Sequence, residues 1–282
     1  MPRLRLRRGD LDGIDLHYIS AGQGPVTLLV HGLGGFAESW RQTLGALAPS
    51  SCAIAFDLPG FGQSAKPNRP YSLEFFARVV EELLDAIEVE HVRLVGHSLG
   101  GGIALAFAMA RPGRVERLAL LGAVVPGVPL RPSLLYRLMS APVIGELVSG
   151  LITPGVCAAA LRRCFVTPRP DEVAFLVGHQ YAVRTTPEGR AAYLATLRGV
   201  KEAFTSRASA YRAALARWDG PTLMIHGRQD PVVPPGHAEA AARAIRRLDV
   251  RWLDNCGHFP QIEHAPLVNE WLGGFLLAEA GR

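Results

Sequence analysis

Residues 92–108 constrain the fold more than any other stretch of the chain. They contain a short apolar run that predicts a buried strand, the motif Gly96-His97-Ser98-Leu99-Gly100, and a second apolar run that predicts a helix. A serine flanked in this way lies on a turn too sharp for ordinary dihedrals, which costs about 1–3 kcal/mol. The turn lifts the Ser98 hydroxyl to a helix N-terminus, where unpaired amides favour negative charge. The motif therefore predicts Ser98 as a nucleophile, and the alternative is a glycine-rich turn that opens a core helix.

The rest of the chain alternates between two kinds of segment. Apolar runs predict strands at residues 26–30, 52–56, 92–95, 118–122, 222–226 and 250–253. Helices are expected before Ala48, at 73–87 after a Ser72 N-cap, at 235–245 and at 266–277. This alternation predicts an α/β fold with a mostly parallel, doubly wound sheet, and residues 3–8 and 14–20 predict an N-terminal antiparallel hairpin. Ligands bind at the carboxyl ends of such strands, which His31, Asp57 and Ser98 follow.

Between the two halves of this pattern the strands are missing. From residue 123 to residue 217, helix-like segments follow one another, and Pro126, Pro129 and Pro132 interrupt the chain at the start. We predict a helical cap inserted at 123–217 into a core formed by residues 1–122 and 218–282.

A serine hydroxyl needs a base to remove its proton, and that base needs an acid to orient it. Asp230 follows the predicted strand at 222–226, and His258 follows the strand at 250–253. Both therefore lie at the sheet edge where Ser98 is expected. Taken singly, Asp230 would be an ordinary turn residue before a proline and His258 a surface histidine. Taken together, they predict a Ser98–His258–Asp230 triad.

Acyl transfer also requires donors for a developing oxyanion. The segment His31-Gly32-Leu33-Gly34-Gly35 follows the strand at 26–30. Its glycines allow the backbone to approach a substrate, and the alternative is a helix-capping turn. We predict the amides of Leu33 and Leu99 as the oxyanion hole.

Candidate substrate contacts lie beside these residues. Gly32 and His31 adjoin the oxyanion loop, while Val232 and Phe259 adjoin the acid and the base. Met139 is a further candidate from the insertion. The apolar side chains there either line a substrate pocket or only pack the cap onto the core.

Composition excludes several other functions. The net charge is +5, but no clustered basic footprint indicates nucleic-acid binding. No signal-peptide core and no apolar run of about 20 residues is present, so we predict no membrane span and a cytoplasmic location. The four cysteines show no CxxC pairing, which predicts free thiols. No metal-ligand spacing and no cofactor motif is found.

Several motifs occur together in the chain. They are His31-Gly32, Asp57-x-x-Gly60-x-Gly62-x-Ser64, Gly96-x-Ser98-x-Gly100-Gly101, Gly227-x-x-Asp230-x-x-Val233-Pro234 and Gly257-His258. With these motifs the chain resembles the α/β-hydrolase superfamily, in which the triad follows the order Ser, Asp, His. The resemblance implies Ser98 as nucleophile, Asp230 as acid and His258 as base. It also implies that the insertion is a lid and that Asp57 is a structural turn residue.

Two segments resemble one branch of that superfamily. Cys256-Gly257-His258-x-x-Gln261-x-Glu263-His264 and Gly227-Arg228-Gln229-Asp230 are similar to carbon–carbon bond hydrolases of aromatic ring-cleavage pathways. Those enzymes tend to carry Asn at the position of His97 and Trp at that of Phe259, and simple carboxylesterases share much of the motif. Dehalogenases and epoxide hydrolases of this fold use Asp where this chain has Ser98.

We therefore expect a serine hydrolase that cleaves a small-molecule carboxylic ester with an apolar acyl or alcohol group, through an acyl-enzyme. One alternative is a carbon–carbon hydrolase of diketones, and another is a cofactor-free acyltransferase or perhydrolase. A non-enzymatic alternative is an accessory protein that uses the cap as a binding surface. The expected assembly is a monomer or a homodimer.

Overall fold

The computed structural model describes residues 2–131 and 133–278. Within these residues the strands are β1 (Arg3–Arg5), β2 (Asp15–Ala21), β3 (Val26–Val30), β4 (Cys52–Phe56), β5 (Val92–His97), β6 (Val115–Leu121), β7 (Thr222–Gly227) and β8 (Leu248–Leu253). The helices are α1 (Arg41–Leu47), α2 (Leu73–Ala86), α3 (Leu99–Ala110), α4 (Leu134–Ser140), α5 (Ile144–Gly150), α6 (Pro154–Arg162), α7 (Pro170–Arg184), α8 (Pro187–Lys201), α9 (Ala208–Leu215), α10 (Pro235–Ala244), α11 (Pro260–Glu263) and α12 (Ala265–Leu276).

The strands form one sheet in the order β1-β2-β4-β3-β5-β6-β7-β8. The pairs β1–β2 and β2–β4 are antiparallel, and every other pair is parallel. The α/β fold with a mostly parallel sheet is thus confirmed. Val30 lies beside Gly96, and His97 lies beside Leu121. Because β3, β5 and β6 end nearly level with one another, the loops that follow them share one edge of the sheet.

Helices cover both faces of the sheet. Leu28 and Leu94 belong to a large core that includes residues of α2 and α3. Their chain neighbours Leu29 and Val95 belong to a second core that includes residues of α12. Successive strand residues point to opposite faces, so burial on both faces explains why these strands read as continuous apolar runs.

The N-terminal hairpin differs from its prediction in length. Its antiparallel direction is confirmed, but β1 ends at Arg5, and Gly9–Leu11 forms a 3₁₀ turn. The amides of Arg7 and Arg8 donate to a carboxylate oxygen of Glu82 on α2. That side chain therefore takes the hydrogen bonds that a longer strand would have made.

Six helices, α4 to α9, lie between β6 and β7. Pro154, Pro170 and Pro187 are the first residues of α6, α7 and α8, where a proline costs no hydrogen bond. The limits 123 and 217 of a separate cap stay a prediction. Pro132 and the terminal residues 1 and 279–282, which belong to the predicted ranges, lie outside the described residues. Throughout the described part of the chain no single helix is long and apolar enough to cross a membrane; α5 and α6 meet the criterion only as a pair, bent by 103°.

Candidate active site

Ser98 lies on the turn between β5 and α3, with φ 55° and ψ −119°. A residue other than glycine is strained at positive φ. Two close approaches between backbone segments hold Ser98 in this conformation. A Cβ on Gly96 would lie 2.4 Å from the Gly100 carbonyl oxygen, and a Cβ on Gly100 would lie 2.1 Å from that of Val30. The Ser98 amide also donates to the Leu121 carbonyl over 2.9 Å. The predicted sharp turn is therefore present, and only glycine fits on either side of it.

The structure brings Ser98, His258 and Asp230 together. His258 Nε2 lies 3.0 Å from Ser98 Oγ, and His258 Nδ1 lies 2.8 Å from Asp230 Oδ2. An ionised carboxylate only accepts hydrogen bonds, so the proton is on Nδ1 and Nε2 is left to accept from the hydroxyl. All three residues are buried. The geometry is that of a nucleophile, a base and an orienting acid.

Asp230 is held as an anion. Its Oδ1 accepts from the amides of Val232 and Val233, at 2.8 and 2.9 Å. Burial by itself would raise the pKa of Asp230, but the field and hydrogen bond of His258, the nearby His226 ring and the Val233 amide hold that pKa below its ordinary value. Val232, a predicted substrate contact, acts on the site through its amide here, while its side chain is about half exposed.

The two predicted oxyanion donors flank Ser98 along different segments. Leu99 is the first residue of α3, and the first amides of a helix have no partner inside it. Leu33 follows Gly32, where a Cβ would lie 2.9 Å from Ser98 Cβ. Within residues 2–131 and 133–278, neither amide donates to another backbone carbonyl. Their role as an oxyanion hole stays a prediction.

Two further predicted substrate contacts, His31 and Met139, bond to or pack against other residues of the protein. The His31 ring donates from Nδ1 to the Gly32 carbonyl and accepts at Nε2 from the Leu58 amide. Burial lowers the pKa of His31 to about 4, so the ring is neutral and shapes the loop. Met139 is buried with Leu194 and Leu197 in a cluster that Leu33 also contacts. Substrate contacts by these residues stay predictions.

Aromatic rings lie next to the His258 loop. Phe259 stacks on Phe165 with ring centroids 4.8 Å apart, and it contacts His97 at 5.0 Å. Phe165 in turn belongs to an apolar cluster with Phe36 from the loop after β3. The insertion and the core therefore meet beside the triad on an apolar surface.

His97, the residue before Ser98, bonds to the His258 loop. Its Nε2 donates to the His258 carbonyl over 2.8 Å. Burial, with the neighbouring His258 ring, lowers the pKa of His97 to about 3, so the ring is neutral. This bond ties the backbone of His258 to the residue next to Ser98.

Sequence reasoning quoted Glu263 as part of a motif but assigned no role to it or to Cys164. Glu263 accepts the Gly257 amide at Oε1 and the Val166 amide at Oε2, each over 2.8 Å. The Cys164 carbonyl accepts the His258 amide over 2.7 Å. These bonds tie the His258 loop to the insertion. The sequence signal for Glu263 was a carboxylate five residues after His258. A bond to a backbone carbonyl, such as that of Cys164, leaves no signal in the sequence.

A small pocket opens beside the oxyanion loop, with Gly34, Gly35 and Phe61 on the core side and Arg184 and Tyr193 on the insertion side. Among the described residues, no cluster of three or more His, Cys, Asp or Glu side chains could hold a metal ion.

The site and the sheet define a class of protein. The model of the alpha/beta hydrolase family matches residues 27–271, so the chain belongs to the alpha/beta hydrolase family and is a hydrolase. It is similar to 2-hydroxymuconate semialdehyde hydrolase of Pseudomonas sp. strain CF600, with 32% identity over 272 residues that cover 95% of this chain and 92% of the relative.

Two solved structures share the fold. The first is 2-hydroxy-6-oxo-6-phenylhexa-2,4-dienoate hydrolase from Rhodococcus sp. strain RHA1, with a TM-score of 0.81, 25% identity, and coverage of 98% of this chain and 99% of that one. The second is an enol-lactonase from Burkholderia xenovorans LB400, with a TM-score of 0.81, 22% identity, and coverage of 98% and 100%. At that identity the second likeness shows the fold alone.

Proposed function

We propose that the protein is a serine hydrolase that cleaves carboxylic esters with an apolar acyl or alcohol group through an acyl-enzyme. The observation that supports this most is the continuous hydrogen-bonded chain from Asp230 through His258 to Ser98, at 2.8 and 3.0 Å. A serine on a strained turn at a helix N-terminus has no structural need of such partners.

In the first half of the reaction, Ser98 Oγ attacks the ester carbonyl carbon and its proton passes to His258 Nε2. The carbonyl oxygen becomes an oxyanion between the amides of Leu33 and Leu99. Asp230 stays ionised and stabilises the imidazolium through Nδ1. When the oxyanion collapses, the carbon–oxygen bond breaks and the leaving alcohol takes the proton from Nε2.

In the second half, His258 removes a proton from water, and the hydroxide attacks the acyl-enzyme. The same two amides meet the second oxyanion. Ser98 then leaves with the proton from His258, so the acid is released and the enzyme is restored.

The apolar character of the substrate is inferred from the surroundings. Phe259 and Phe165 are stacked beside the triad, and Leu33 contacts the buried cluster of Met139, Leu194 and Leu197. Such side chains favour an apolar group over a charged one. In this proposal α4 to α9 form the lid. A cytoplasmic location and a monomeric or homodimeric assembly stay predictions.

The second candidate function is hydrolysis of a carbon–carbon bond in a vinylogous diketone. It is favoured by the 32% identity to 2-hydroxymuconate semialdehyde hydrolase. We place it second because His97 and Phe259 stand where that branch tends to carry Asn and Trp. The His97 ring nitrogen is committed to the His258 carbonyl.

A paired assay tests the choice. Turnover of p-nitrophenyl butyrate is compared with that of a ring-cleavage dienoate, and Ser98→Ala should lower kcat on the preferred substrate by up to about 10⁶. Ser39→Ala is the matched control, because the Ser39 hydroxyl donates to the Phe36 carbonyl and has no bond to the predicted triad. It should retain full activity.

A fluorophosphonate probe should label the wild type at Ser98, and His258→Ala should abolish the labelling. Near-wild-type turnover by Ser98→Ala would remove the mechanism for both substrates. Preference for the dienoate with the same loss in Ser98→Ala would retain the triad and move the assignment to carbon–carbon hydrolysis.

A further inference from the structure

Exposed apolar side chains are concentrated in one part of the insertion. Among the described residues, all large apolar side chains that are more than half exposed lie between residues 134 and 156. They are Leu134, Leu135, Val143, Leu147, Leu151 and Val156, which we call the apolar face. Exposed apolar side chains that are concentrated in one part of a folded protein indicate an interaction site.

The helices that carry the apolar face have a distinct buried side. Met139 of α4 is buried against Leu194 and Leu197 of α8. A Cβ on Gly145 of α5 would lie 2.2 Å from the Met139 carbonyl oxygen, so α4 and α5 touch through their backbones. The core-facing side is therefore already filled, and the apolar face is a second apolar surface on the same short helices.

Val143 points to a use for this surface. It has φ 65° and ψ −50°, and the Ile144 amide donates to the Pro142 carbonyl over 2.8 Å, which closes a tight turn. A β-branched residue at positive φ is an outlier, and Gly or Asn would suit the turn better. The side chain is 69% exposed, so core packing does not account for it. Strain of this kind occurs where a surface is functional.

The charges around the apolar face are almost all positive. Residues 131–169 contain Arg131, Arg137, Arg162, Arg163 and Arg169, and the one acidic residue in this range is Glu146. Glu146 is neutralised by Arg198 at 2.8 and 2.9 Å. Among the described residues, Arg131, Arg137, Arg162 and Arg163 are exposed and form no ion pair with a carboxylate. The segment that carries the apolar face therefore also carries exposed cationic side chains.

We propose that the apolar face docks onto a lipid surface that carries anionic headgroups. Its leucines and valines enter the boundary between headgroups and acyl chains, and the surrounding arginines bind the anionic headgroups. A second copy of the chain fits less well, because its own arginines would face these across a symmetric contact. The inference does not depend on the chemistry of Ser98.

Co-sedimentation of the full chain with vesicles tests the proposal. We expect binding to vesicles of phosphatidylcholine mixed with phosphatidylglycerol, weaker binding to phosphatidylcholine alone, and release by salt. Leu147→Glu combined with Leu151→Glu should lower the partition coefficient at least about tenfold, because two apolar contacts are replaced by charges that the headgroups repel. Leu267→Glu on α12 is the matched control and should bind as the wild type does.

Thermal unfolding shows whether each variant is folded. If the double glutamate variant unfolds, Arg162→Glu combined with Arg163→Glu tests the electrostatic part, with loss of the preference for phosphatidylglycerol expected. Equal binding by a folded variant and the wild type would overturn the proposal. Absence of vesicle binding, with a dimer that Leu147→Glu and Leu151→Glu dissociate, would overturn it in favour of a second copy. Ser98→Ala should bind as the wild type does, so failure of the proposed chemistry would be seen separately.

Discussion

The sheet edge around Ser98 and the outer side of α4 to α6 are built in opposite ways. At the sheet edge, backbones approach so closely that Gly96 and Gly100 have no room for a Cβ, and the polar side chains are buried and hydrogen-bonded. On the outer side of α4 to α6, side chains such as Leu147 and Leu151 face solvent. One region is determined by what it packs against and the other is left open to a partner.

This contrast separates two kinds of constraint. At the edge, a change of one atom displaces a neighbour, because the interior is close-packed. On the outer side, a substitution changes what the surface can bind and leaves the fold intact. The insertion contacts the sheet edge at His258, whose amide donates to the Cys164 carbonyl.

Among the changes that test this comparison, the largest effect is expected for Asp230→Asn at the sheet edge. The amide no longer holds His258 in the required tautomer, and kcat should fall by about 10⁴. The matched control is Glu146→Gln on the outer side, where a carboxylate pairs with Arg198 and activity should not change. Ester turnover of both variants is the measurement. A loss below tenfold for Asp230→Asn, or a comparable loss for Glu146→Gln, would break the comparison.

The next largest effect is expected for Gly100→Ala at the sheet edge. Its Cβ would lie 2.1 Å from the Val30 carbonyl oxygen and 2.5 Å from that of His31, and backbone atoms cannot move aside as a flexible side chain can. We expect the free energy of unfolding to drop by about 3 kcal/mol, measured by urea unfolding. A variant as stable as the wild type would mean that the edge is looser than its geometry indicates.

Acid should destabilise the protein through the buried histidines of the sheet edge. Burial lowers the pKa of His31 to about 4 and of His97 to about 3, while the unfolded value is about 6.5. Between about pH 6.5 and pH 4 the unfolded chain binds more protons, so each ring removes about 1.4 kcal/mol of stability per pH unit as pH falls. Burial raises the pKa of Asp57 to about 6, which acts in the opposite direction, but burial also lowers the pKa values of His226 and His237, so the net effect of acid is a loss of stability. Urea midpoints that do not change over this range would contradict the expectation.

The smallest effect is expected for Gly178→Ala in α7. No atom lies within 4 Å of the Cβ that the substitution adds, and alanine is a better helix former than glycine. The free energy of unfolding should rise by up to about 1 kcal/mol, measured in the same way as for Gly100→Ala. Opposite signs for the two glycines would sharpen the comparison, and a loss at Gly178 would weaken it.

Much of the fold could be predicted from residue patterns. The strands predicted at 26–30 and 52–56 have the bounds of β3 and β4, and Ser72 caps α2 by accepting from the Phe75 amide. Local periodicity and capping chemistry act within a few residues, so they can be read along the chain. The first strand was predicted too long because its competitor, Glu82, lies more than seventy residues away.

The candidate site was predicted in part. Ser98, Asp230 and His258 were predicted from turn motifs, and the structure brings the three side chains into contact. The bonds of His97 to the His258 carbonyl and of Glu263 to the Val166 amide were not predicted, since they join residues that are 161 and 97 positions apart in the chain.

By itself, the sequence determined the order of the core strands and helices along the chain, the sharp turn at Ser98 and the candidates for the triad, because spacing and glycine placement act locally. Only the tertiary structure decided which loops meet, which side of α4 to α6 stays exposed, and how the insertion holds His258. Those contacts join residues far apart in the chain, and a side chain's partners are known only once the backbones are packed.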